Sequence, residues 1–191
     1  MSTLRTFLLI AYMIFLSMIA MAHTAPKQPI ICNNTYALCN AASCQPIPGL
    51  QAKVLCHCSI WQGKNIGFSE CSARKEQQTP DGETALLSTF SFGGGHYKYM
   101  TCPADIPWAN CLDHPCLVDK LSPDERRAYC TCDLVRGQTY VTFAGKCNTT
   151  NCDKAIWSGA TVEGNQQLMA ELAKMPDIHV EQAMCSSKIE H

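Results

Sequence analysis

The chain lacks most of the short motifs that announce chemistry. It has no Cys-x2-Cys knuckle, the usual half of a structural zinc site. It has no G-x-S-x-G elbow for a hydrolase nucleophile and no H-E-x-x-H for a zinc protease. The one glycine cluster, Gly93-Gly94-Gly95, is not followed by the Lys-Ser or Lys-Thr that a phosphate-binding loop requires. An excess of either charge is also missing: 15 Lys+Arg stand against 16 Asp+Glu, a formal net charge of −1. Near-neutrality speaks against a nucleic-acid binder, which needs a basic face to neutralise phosphates. No run of like charge suggests a membrane surface or an acidic tail.

Long apolar runs are absent after the first 22 residues. Within them, MSTLR carries one positive charge, FLLIAYMIFLSMIAMA is apolar, and Ala20-Met21-Ala22 is a small-x-small cleavage pattern. This predicts a signal peptide over 1–22, cut after Ala22, and a secreted or periplasmic mature chain starting near His23. An uncleaved anchor is the weaker alternative, because a span takes about 20 apolar residues. Cleavage removes Arg5 and leaves 169 residues with a formal charge of −2.

What the chain has in abundance is cysteine. All 14 lie beyond the predicted cut, an even number in an oxidising compartment. Their order repeats: 32–71 reads C-x6-C-x4-C-x11-C-x-C-x12-C and 102–147 reads C-x8-C-x4-C-x13-C-x-C-x14-C. Each gap matches or grows by two, and VLCHCSIWQG (54–63) faces AYCTCDLVRG (128–137). An internal duplication follows. A fainter echo, Leu87-Ser88-Thr89 against Trp157-Ser158-Gly159, lies downstream of each copy.

The expected fold is a small disulfide-rich α+β protein: two tandem strand-dominated modules with β-hairpins and one C-terminal amphipathic helix. The boundaries are 23–71 for the first cysteine-rich module, 72–101 for a linker, 102–152 for the second module and 153–191 for the helix and tail. Alternation places Val54, Cys56, Cys58 and Ile60 on one strand face, and Cys130, Cys132 and Leu134 on another. Turns near Gly63 and Gly137 suggest a hairpin in each module. Within the linker, ALLSTFSF and HYKYM flank the triple glycine like a third hairpin. After Gly164, Leu168, Leu172 and Met175 fall at helical spacing and Pro176 ends the run.

Residues two apart on a strand lie about 6.5 Å apart with parallel side chains, which disfavours a bridge between them. Each cysteine of a Cys-x-Cys pair must therefore find its own partner, so the strand pins two neighbours at once. Three bridges are expected inside each copy, among Cys32, Cys39, Cys44, Cys56, Cys58 and Cys71, and among Cys102, Cys111, Cys116, Cys130, Cys132 and Cys147. That leaves Cys152 and Cys185 to pair with each other; a different partner for either would make the two-module logic wrong. A 40-residue unit buries too little surface to fold unaided, and each bridge adds roughly 3 kcal/mol.

Three rival readings are weaker. Cys56-His57-Cys58 resembles a metal cluster with His96 and His114 in reserve, but the counterpart of His57 is Thr131, so histidine is not part of the repeated pattern. A thiol-redox centre would want Cys-x-x-Cys at a helix start. Asp113-His114 beside Cys116 suggests a triad fragment, but reads better as a turn before Pro115. No catalytic residue, metal ligand or cofactor is therefore assigned. The remaining signal is aromatic: Trp61, Trp108, Trp157, Tyr97 and Tyr99 either anchor a partner or cover disulfides. Trp61, His96, Tyr97 and Tyr99 are the candidate binding residues. Asn33-Asn34-Thr35 and Asn148-Thr149-Thr150 fit the N-glycosylation pattern.

The sequence thus points to an exported, non-enzymatic protein that presents loops to a protein or glycan partner. A secreted inhibitor or effector is the first alternative and a structural zinc protein the second. Intact mass with and without alkylation, under non-reducing conditions and with metal analysis, should give seven bridges and no metal; free thiols with stoichiometric zinc would reverse the order.

Overall fold

Cys44, Cys56, Cys130 and Cys116 stand in one row across four strands, each directly opposite the next. The computed structural model describes residues 27–91, 95–122, 126–143, 152–175 and 180–184. In chain order the elements are β1 Ile30–Leu38, β2 Ser43–Ile47, β3 Leu50–Gly67, β4 Gln77–Gln78, β5 Thr84–Ser91 and β6 Gly95–Cys102. They continue with β7 Trp108–Asn110, β8 Pro115–Val118, β9 Arg127–Val135, β10 Tyr140–Phe143, β11 Ile156–Thr161, α1 Val162–Leu172 and β12 Val180–Met184. The protein is small and strand-rich, with a mixed sheet and one helix among the described residues.

The two Cys-x-Cys strands pair with each other. β3 and β9 run antiparallel from Lys53↔Asp133 to Ser59↔Arg127, with Cys56↔Cys130 between. On its other side β3 meets β2 and then β1. β9 likewise meets β8 and β7. Two further strands close the structure behind this ribbon. β5 pairs antiparallel with β8 and parallel with β1, while β11 pairs antiparallel with β2 and parallel with β7. Following neighbours through β1, β3, β9, β8 and β5 therefore returns to β1, and through β7, β9, β3, β2 and β11 to β7.

The closing strands carry the same clasp. Ser88 Oγ donates to the carbonyl of Cys111 and accepts from His114 N at 3.3 Å. Ser158 Oγ donates to the carbonyl of Cys39 and accepts from Ala42 N at 2.8 Å. The corresponding turns also agree in backbone: Ala41 has φ 49° and Asp113 has φ 61°.

The interior between these walls is sulfur. Cys39–Cys58, Cys44–Cys56, Cys111–Cys132 and Cys116–Cys130 are bridged, and all eight cysteines are buried with Ala37, Val54, Ala109 and Ala128. Cys39 Sγ rests 3.3 Å from Cys130 Sγ, so bridges of the two halves touch. Each Cys-x-Cys strand holds two different segments, as the strand geometry requires.

The outer bridges depart from expectation. Cys32 pairs with Cys71, but Cys102 pairs with Cys152. The expected closure of the second set of six and the expected Cys152–Cys185 bridge are thereby corrected, and the two-module organisation that rested on them is not borne out; Cys147 and Cys185 lie outside the described residues. The reason is chain path. After β3 the first half turns at once to Cys71, whereas the second half returns to Cys102 only at Cys152, just ahead of β11. Met100, Trp108 and Tyr140 cover this bridge, the two rings stacked at 5.3 Å and 12°.

The expected hairpins are also corrected. β3 runs straight through Gly63, which takes φ 141°, and pairs with β1 instead of folding back. β10 pairs with β6 and β11, not β9. β5 and β6 are strands, as their composition suggests, but β5 pairs with β1, β3, β4 and β8, and β6 with β10 and β12. Local turn residues were outcompeted because both edges of each strand found better-placed partners. Thr161 caps α1 by accepting from Gly164 N at 2.9 Å, and Leu168 and Leu172 pack on Ile66 of β3. Met175 packs on this cluster from beyond the helix end.

Replacing Cys44 and Cys56 by serine should lower unfolding free energy by about 2–5 kcal/mol in denaturant melts. A non-reducing peptide map should recover Cys102 linked to Cys152.

Candidate functional site

Because sulfur occupies the inner face of the β3–β9 ribbon, alternation sends Lys53, Leu55, His57, Ser59 and Trp61 to the outer face beside Arg127, Tyr129, Thr131 and Asp133. The Cys-His-Cys run is thus split between two faces. Cys56 and Cys58 point inward, while His57 is exposed and meets Tyr129 edge-on at 5.0 Å. Buried sulfurs do cluster, Cys39 with Cys116 and Cys130, and Cys44 with Cys56 and Cys111, within 4.8 Å. Each belongs to a disulfide and has no thiolate to give a metal. Cys116 is likewise committed to Cys130 and offers no nucleophile beside His114.

The two ends of the outer face carry different side chains. At one end Asp133 binds both Lys53 Nζ and His114 Nε2, the latter at 3.2 Å. The hydrogen bond from Lys53 chiefly holds the Asp133 carboxyl below its ordinary value, against partial desolvation. Midway, Tyr129 OH donates to Asp119 Oδ2 at 3.0 Å, and that bond pushes the phenol pKa up. At the other end Thr35, Ser59, Ile60, Trp61, Gln62, Arg126 and Arg127 line an open hollow. Ile60 N donates to the Arg126 carbonyl at 2.9 Å, which fixes the β9 approach beside Trp61. Trp61 is 55 % exposed.

Asp113 is a turn residue, as its place before Pro115 suggests. Its carboxylate accepts from Phe68 N at 2.8 Å and Ser69 N at 3.2 Å. Nearby Arg74 is fully buried and donates to Asn65 Oδ1 and the Ile30 carbonyl. Burial lowers its pKa, opposed by the charges of Asp113 and Glu70. Sequence reading placed Arg74 in a polar linker, and nothing local marks it as a core residue.

Of the predicted binding residues, Trp61 is at the surface. His96 and Tyr97 lie on β6, backbone-paired with Glu181 and Gln182, and their side chains are outside the described residues. Tyr99 is 6 % exposed and lines an apolar slot under α1 with Phe90, Val141 and Leu168, so its surface reading is corrected. Trp108 is fully buried and Trp157 partly so, both packed around the Cys102–Cys152 bridge. Arg126 and Arg127 were missed. Their side-by-side occurrence was visible, but only the register that sets Arg127 opposite Ser59 brings them to Trp61. Asn33 of the first glycosylation pattern is exposed on β1; Asn148 lies outside the described residues.

Comparison with protein-family models, curated proteins and solved structures returned no match to this chain. No helix among the described residues is long and apolar enough to cross a membrane. The many disulfides are compatible with an extracellular, non-enzymatic role.

A carboxylate with a depressed folded-state pKa stabilises above its unfolded value and loses that contribution as pH falls through the folded one. The ordinary value for Asp133 is 3.8, so this loss lies on the acid side of it. Urea melts at pH 6 and pH 3 should therefore show a smaller stability difference for Asp133→Asn than for the unaltered protein.

Proposed function

We propose that this chain is an exported, non-enzymatic binding protein, built by duplication of a cysteine-rich unit, that engages a protein or glycan through the Trp61 end of the β3–β9 ribbon, away from the Lys53–Asp133 pair. The equivalent inner bridges, the matching serine clasps and the two left-handed turns support the duplication. In this reading the two copies share one interior, and α1 is an amphipathic plug over the end of β3. Export through a signal peptide cut after Ala22 supplies the oxidising compartment that the bridges need.

The observation that carries the reading is Trp61. This large aromatic is 55 % exposed, opposite buried Tyr36 of β1, on a strand whose inner face is tied down by two disulfides. Such a residue is preorganised for a partner, because little ordering entropy remains to be lost on binding.

Trp61→Ala should abolish or weaken partner binding at least about tenfold while leaving the melting temperature within a degree or two. The partner is sought by affinity capture from the host or cell envelope and by glycan array with the oxidised protein. A screen of hydrolase substrates should show no turnover; turnover that survives purification of the oxidised chain would overturn the non-enzymatic assignment.

A further inference from the structure

The two ends of the β3–β9 ribbon are equivalent by register, and the pairs Lys53↔Asp133 and Ser59↔Arg127 occupy corresponding places. Each puts one cation on the outer face beside its cross-strand neighbour. At the first end that neighbour is a carboxylate, and Lys53 and Asp133 pair. At the second it is Ser59, and among the described residues no carboxylate pairs with Arg127. The end of the ribbon that carries Arg127 is also the end that carries exposed Trp61.

Resting on the binding role proposed above, we infer that the hollow at Trp61 is a subsite for an acidic glycan, with a pyranose ring on the indole and its carboxylate on Arg127. The lining fits that chemistry. The indole offers one flat apolar plate for the C–H face of a sugar. Thr35, Ser59 and Gln62 supply a rim of hydroxyl and amide groups for ring hydroxyls. The planar guanidinium fork of Arg127 matches a carboxylate bidentately. A peptide anchor wants a deep, dry pocket with an apolar wall, whereas this hollow is open and Ile60 is the one aliphatic residue in its lining. A nucleic acid would require a wider basic face than a chain of net charge −1 offers here.

The test uses the oxidised full chain against polygalacturonate, dextran sulfate, neutral dextran and polyglutamate, with Trp61→Ala, Arg127→Gln and Lys53→Gln as variants. Folding of each variant is checked by its melting temperature and non-reducing peptide map. The expected result is binding to polygalacturonate that weakens with salt, drops about tenfold in Arg127→Gln and at least as much in Trp61→Ala, and is unchanged in Lys53→Gln. Equal affinity for neutral dextran would sink the acidic assignment and leave the glycan-binding role standing. Preference for dextran sulfate would replace the carboxylate by a sulfate and overturn the inference as stated. Polyglutamate bound as tightly, with the same dependence on Trp61 and Arg127, would make the ligand an acidic peptide. Failure to bind any polymer, with a protein partner that needs Trp61, would overturn the glycan and leave the binding role; loss of every Trp61-dependent partner would remove both.

Discussion

Two strands of this protein face each other with a cysteine at the centre of each, and each of those cysteines is bonded sideways to a flanking strand. The row Cys44, Cys56, Cys130, Cys116 is the constraint on which the rest depends. Beside it, Cys58 and Cys132 reach Cys39 and Cys111, so four bridges fill the space that aliphatic side chains occupy in a larger domain. Disulfides restrict the unfolded chain, and they do so whether or not the folded core is large. That suits an interior assembled from cysteine, alanine and valine.

The same constraint decides what the surface can offer. With the inner face of the ribbon spoken for, every polar and aromatic side chain of β3 and β9 that does not pack inward is displayed on a support with little freedom to move. What such a face presents is set by which residues the register juxtaposes. Asp133 stands against Lys53 at one end, and Ser59 stands against Arg127 at the other, next to Trp61. Two positions that correspond by register thus differ in their cross-strand residue while the core beneath them stays the same.

Much of the inner architecture was readable from spacing. The geometry that disfavours bridging Cys-x-Cys to itself foretold that each strand would hold two partners, while the pairs inside each set of six were left open by spacing alone. Leu168 and Leu172 announced the buried side of α1 by their interval. Reading failed where partners are distant in sequence. Gly63 and Gly137 looked like hairpin turns, yet the strands beyond them bind β1, β6 and β11. Tyr99 looked available and is buried, while Arg74 looked solvated and is enclosed with Asn65. In each case the deciding neighbour lies on another strand or in another half of the chain.

By itself the sequence determined the period of the strands, the cysteine repeat and the one-sidedness of Cys-x-Cys, because these follow from local backbone geometry and bond lengths. Only the tertiary structure decided that the two cysteine-rich halves share one interior, that Cys102 closes on Cys152, and that Arg127 stands at Trp61. Those outcomes depend on which strand edges pair after the chain has closed on itself, and hydrogen-bonded edges carry no side-chain label that a linear reading can see.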